Sequence, residues 1–210
     1  MKKYRNSKNG IYFARYSEED LPSSTEINSD AFILLNKIGL PILESDYGLR
    51  FFPFRKPLFT SVATIPSIIL GKPFRSGNDI SDTILAIDTA RTHVFFYSES
   101  LFEVGMLPQP VTMVNTSLTN FVSFCIEVTM FSRKVFQEGE FPNSSFVEVL
   151  SKFKSLIWGL SELDSVGLGL NSDPRLFWRG ILSSLQFSIQ ERYEKFFSQE
   201  SLYPPSYRNL

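Results

Sequence analysis

The sequence predicts an α+β fold: an antiparallel sheet of about four to six strands, packed by an N-terminal helix and a C-terminal group of about three helices. Three observations carry that expectation. Short apolar runs broken by Pro, Gly and Asp fill the stretch from Arg50 to Tyr97, which is the pattern of an antiparallel meander. From Asn115 onward apolar residues recur at helical spacing instead. Helix-capping residues stand at the start of each helical stretch. Strands come first and helices after.

Taken in order, Met1 to Ser24 is polar, and Ile11-Tyr12-Phe13-Ala14 within it reads as a short strand or a segment docked on the body. Asn28-Ser29-Asp30 caps a helix over Ala31 to Ile38, which Gly39 ends and Pro41 cannot continue. Strands are expected at Arg50 to Phe54, Phe59 to Ile65 and Ser67 to Leu70, with Pro53 marking the first as an edge or bulged strand. Gly71-Lys72-Pro73 and Gly77-Asn78-Asp79 read as loops. Thr83 to Asp88 and Thr92 to Tyr97 form a central hairpin joined by Thr89-Ala90-Arg91. Its strands are almost wholly apolar and alternate poorly, as strands buried inside a sheet do.

In the helical half, Asn115-Thr116-Ser117 supplies N-cap residues, and Asn115 reads as a cap. The helix that follows turns Leu118, Phe121, Val122, Cys125, Val128 and Ser132 to one side. Ser145 and Glu148 form a capping box for a second helix with the stripe Val149, Leu150, Phe153, Leu156, Ile157 and Leu160. Ser165 to Ser172 reads as a Gly-containing loop. Asp173 and Pro174 then open a third helix in the preferred order, with Leu176, Phe177, Leu182, Leu185 and Ile189 facing inward. Leu202 onward reads as a frayed tail. One domain over 1–210 is expected, with a core at 27–136, a helical extension at 143–198 and flexible termini.

Composition narrows the function. Phe is abundant, at 21 residues, and Phe lacks the polar tip that suits a wet interface, so a core use is expected. A net charge of −1 supplies no global attraction to nucleic acid or anionic membrane. The charges are nonetheless segregated. Asp79, Asp82, Asp88, Glu99 and Glu103 face one base, Arg91, between Gly77 and Ile126, whereas Arg50 to Arg75 carries bases and no acid. Cys125 is the sole cysteine, so no intramolecular disulfide is expected, and it sits on a helical stripe as a small hydrophobe. The N-terminus, Lys2-Lys3-Tyr4-Arg5, does not lead into an apolar signal segment. The chain is therefore expected to be cytoplasmic.

No catalytic constellation is legible. His93 is the sole histidine, no Cys/His spacing suits a metal, and no cofactor is expected. Asp79 and Asp82 form a pair of loop acids without a third group. Gly167-Leu168-Gly169 lacks the context of a phosphate-binding turn and reads as a helix terminator. The aromatic-basic strip around Arg50-Phe51-Phe52 and Phe54-Arg55-Lys56 has the residue types that stack single-stranded nucleic acid. With no basic domain charge, packing or edge-strand solubility is the preferred reading, and no direct nucleic-acid binding is expected.

Several of these elements recur in order. They are Gly39-Leu40-Pro41, Arg50-Phe51-Phe52-Pro53-Phe54, Leu70-Gly71, Ile84-Leu85-Ala86-Ile87-Asp88 with Val94-Phe95-Phe96, and Val114-Asn115-Thr116-Ser117-Leu118 running on to Phe121. Together they resemble the SUKH superfamily, in particular its fourth subfamily of bacterial immunity proteins. The resemblance covers about Ile27 to Val135, and Asp173-Pro174 with Phe177-Trp178 is similar to that subfamily's C-terminal extension. One departure is the hairpin turn Asp88 to Thr92, which lacks the Gly typical of the family, so a different turn geometry is expected. The resemblance implies a non-catalytic protein that binds a cognate secreted toxin domain inside the producing cell. If that toxin is a nuclease, its basic channel would meet acids around the hairpin. The expected partner-binding residues are Asp79, Asp82, Asp88, Tyr97, Glu99 and Glu103. The alternative is a protein-interaction or regulatory module on the same fold.

Overall fold

The central hairpin is apolar along its whole length because each of its faces has a core of its own. Leu85, Ile87 and Val94 belong to the main core. Ile84, Ala86 and Phe95, the alternate residues, join Ile69 and Phe54 in a second cluster. Side chains on a strand alternate between faces, so burial on both sides removes the polar half of the pattern, as the sequence implied.

The computed structural model describes residues 2–5, 11–23, 26–44, 49–62, 65–75, 83–98, 112–136, 145–169 and 177–198. Eight strands lie side by side in chain order: β1 (Lys2–Arg5), β2 (Tyr12–Arg15), β3 (Leu40–Glu44), β4 (Leu49–Val62), β5 (Ile65–Arg75), β6 (Thr83–Asp88), β7 (Val94–Ser98) and β8 (Thr112–Asn115). Every neighbouring pair is antiparallel. β3 links the three-stranded part β1–β3 to the rest, pairing Leu40 with Ala14 of β2 and Leu43 with Phe51 of β4. The α+β class is as expected, and β4–β8 give five strands, within the four to six read from the sequence; β1–β3 add three more that the sequence left largely unread. The reason is local. Lys2–Arg5 has no apolar alternation and is a strand only through pairing with β2, and β3 follows Gly39 directly.

Gly39 makes that direct entry possible. Its φ is +88°, and a Cβ there would lie 2.5 Å from the Ala14 carbonyl oxygen, so only glycine lets the chain turn back against β2. Ahead of it, α1 (Ser29–Ile33) runs into a π-helical turn over Leu34–Ile38, with Asn28 capping by accepting from the Asp30 amide at 2.9 Å.

Pro53 marks a bulge, as anticipated. Pro53 pairs with Gly71 and Leu58 with Ile69, so Phe54 to Pro57 buckle outward within one continuous strand. The Tyr16 hydroxyl donates to the Phe54 carbonyl at 2.8 Å and ties the bulge to β2. Gly71-Lys72-Pro73 is not a loop but part of β5, because β4 supplies partners on the far side of the bulge.

Among the described residues three long helices follow the strands: α2 (Leu118–Phe136), α3 (Phe146–Leu168) and α4 (Phe177–Ser198). All six residues expected on the inner face of α2 are buried. The capping box at Ser145 and Glu148 is present in both directions, at 3.2 and 2.7 Å. Ser165 to Leu168 is helical rather than loop, and Gly169 ends α3 at φ +70°. The aromatic residues fill the core: Phe51 meets Phe121 edge-on at 5.6 Å, and Trp178 packs against Phe121, Phe124 and Phe177. Among the described residues no helix is long and apolar enough to cross a membrane. Gly77-Asn78-Asp79, Asp173-Pro174, Leu176 and the tail from Leu202 lie outside the described residues.

Candidate functional site

The turn between β6 and β7 is held from inside. The Asp88 carboxylate accepts from the Ala90 and Arg91 amides at 2.8 and 3.1 Å, and the Asp88 carbonyl accepts from the Thr92 amide at 2.9 Å. Thr92 takes φ +64°, the left-handed position that glycine would fill. Thr92 is the one non-glycine residue with positive φ among the described residues, and β-branching makes that conformation costly. The turn is also clamped from outside: the Thr89 amide donates to the Pro66 carbonyl at 3.0 Å, and the Asn28 amide donates to the Thr89 carbonyl at 2.8 Å.

Of the residues expected to meet a partner, Asp88 is 7% exposed, and its carboxylate serves the turn. Tyr97 stands in β7 opposite Ile84. Asp79, Asp82, Glu99 and Glu103 lie outside the described residues. His93 closes the turn, its carbonyl accepting from the Asp88 amide at 2.9 Å.

A second polar cluster, not legible in the sequence, lies buried where β8, α3 and α4 meet. Asn115 is fully buried. Its side-chain amide donates to Asp164 Oδ2 at 3.1 Å, and its Oδ1 accepts from Trp178 Nε1 at 2.8 Å. Asn115 is therefore not the cap of α2. That role falls to Ser117, whose hydroxyl accepts from the Asn120 amide at 3.0 Å. Asp164 breaks the helical geometry of α3, at φ −160° and ψ 81°. The break frees its carboxylate to accept from the Thr116 amide at 2.8 Å and from the Gly167 amide at 2.8 Å. A Cβ on Gly167 would lie 2.6 Å from Asp164 Oδ2 and 2.8 Å from Asn115 Nδ2. Every polar group in the cluster has a partner, which is what burial demands, so the cluster is a structural junction. Locally, Asn115 has the signature of a cap and Gly167 that of a helix terminator, while Asp164 carries no signal at all.

Burial shifts the titration of several side chains, Cys125 and Tyr16 among them. Burial pushes the Cys125 thiol well up, so it is a poor nucleophile. Burial, and then the Asp20 charge, push the Tyr16 hydroxyl up as well. Among the described residues no three His, Cys, Asp or Glu side chains converge as a metal site.

No protein-family model, curated protein or solved structure matches the chain.

Proposed function

We propose that the protein is a non-catalytic immunity protein, acting in the cytoplasm by binding and neutralising a cognate secreted bacterial toxin. The observation that carries the proposal is where the SUKH-like sequence elements fall. Gly39-Leu40-Pro41 turns the first helix into β3 through a position that only glycine fits. Leu70-Gly71 spans the register shift of β5 against β6, Ile84 to Asp88 and Val94 to Phe96 build the central hairpin, and Asn115 to Ser117 joins β8 to α2. These residues serve the fold, which leaves specificity to the surface. If the toxin is a nuclease, its basic substrate channel would meet Asp79, Asp82, Glu99 and Glu103.

Co-expression with the product of the adjacent gene tests the proposal. Rescue from that product's toxicity, together with a co-purifying complex, is the expected result. A neighbour that is harmless, or that kills equally with and without this protein, defeats it and leaves the regulatory-module reading.

A further inference from the structure

The outer face of α3 carries a large aromatic side chain in solvent. Trp158 is 70% exposed, whereas the other tryptophan, Trp178, is fully buried. Val149, Phe153 and Leu160 turn inward, and on the opposite side Val147, Ser151, Lys154, Ser155, Trp158 and Glu162 all stand exposed. Within this face Lys154, Trp158 and Glu162 form one row at four-residue spacing. Neither charge has an opposite charge three or four residues along α3, the separations at which helical side chains meet. The neighbouring positions suit burial. Ser151 and Ser155 are small, and the Ser155 hydroxyl donates to the Ser151 carbonyl at 3.0 Å, so it needs no water to satisfy it.

We propose that this face pairs with α3 of a second copy of the chain, antiparallel about a two-fold axis at Trp158. In that arrangement the row is complementary to itself. Trp158 meets Trp158 of the second copy. Lys154 stands about 6 Å along the helix to one side of it and Glu162 as far to the other, so each Lys154 comes beside the Glu162 of the opposite chain. A parallel pairing would instead set Lys154 against Lys154 and Glu162 against Glu162. The interface is isologous, so every contact occurs twice. The paired indoles form its apolar centre, and the ion pairs flank them, the usual placing of an aromatic anchor. Ser151 and Ser155 let the two helix axes approach to about 8–10 Å. One helix face lies at the small end of the interface range, below about 1,200 Å². The dimer is therefore weak and reversible, with a Kd on the order of 10 µM. None of this rests on the toxin.

Sedimentation equilibrium of the full-length protein tests the pairing. A reversible monomer–dimer equilibrium is expected, and Trp158→Ser should abolish it. Lys154→Glu and Glu162→Lys should each weaken the dimer at least about tenfold, because each sets like charges together on both sides of the axis. Exchanging both charges in one chain, Lys154→Glu with Glu162→Lys, should restore it. So should mixing the two single variants in equal amounts, since an all-acidic row then meets an all-basic one. A wild-type chain that stays monomeric at about 100 µM overturns the proposal. So does a dimer indifferent to both single reversals, or one that the double exchange fails to rescue.

Discussion

The indole Nε1 of Trp178 donates to the side-chain oxygen of Asn115 at 2.8 Å, with neither residue exposed. That bond pins α4 to the end of β8, and through Asp164 the same asparagine pins α3. A double-mutant cycle should therefore find strong coupling. Trp178→Phe leaves Asn115 Oδ1 without its donor and should cost about 1–3 kcal/mol. Asn115→Ala strands the indole N–H and removes one of the two donors to Asp164 Oδ2, which keeps the Thr116 amide. The combined variant should lose less than the sum, with coupling of about 1 kcal/mol or more by chemical denaturation.

Two glycines of α3 should respond in opposite senses to alanine. Gly167→Ala forces a methyl against Asp164 and Asn115 and should destabilise by about 1–3 kcal/mol. At Gly159 a Cβ would meet nothing within 4 Å. The residue lies inside a helix, so Gly159→Ala should stabilise by about 0.5–1 kcal/mol. Thermal melts of the two variants should move in opposite directions.

Thr92→Gly should raise stability. It relieves a β-branched residue held at φ +64°, offset in part by the greater freedom of glycine in the unfolded chain. A net gain of about 1 kcal/mol is expected, or about 2–4 °C in Tm for a chain of this size.

Cys125 should resist a thiol reagent in the native protein and react only as the chain unfolds. Its burial also predicts a pH dependence. The folded thiol stays protonated above the ordinary value of 9.0, whereas the unfolded thiol ionises there. Its contribution is therefore fully present below that pH and lost as pH rises above it, with a limiting slope of about 1.4 kcal/mol per pH unit. Cys125→Ala should flatten that slope. Equal slopes for the two proteins above pH 9.0 would contradict the assignment.

Much of the fold is legible from short-range signals. The capping box at Ser145 and Glu148, the buried stripe from Leu118 to Ser132, the glycine terminators at Gly39 and Gly169, and the bulge at Pro53 all follow from residues a few positions apart. Phe54 to Pro57 is harder to read, since two apparent strands are one strand interrupted by its own bulge. β1 carries no local signal, because its strand state belongs to the pairing with β2.

The candidate sites are less legible for the same reason. Asp88 at the end of an apolar strand looks like a surface acid, and its turn-capping role depends on how the chain bends over the next three residues.

Local sequence is enough to dictate the α+β class, the caps at Asn28 and Ser145, the inner face of α2 and the burial of the central hairpin, because backbone geometry and hydrophobic periodicity act over one or two turns. Long-range packing makes Asn115 a junction and not a cap, and breaks the helix at Asp164. The partners of Asn115 lie 49 and 63 residues away, and no local propensity records which distant polar group will satisfy a buried one.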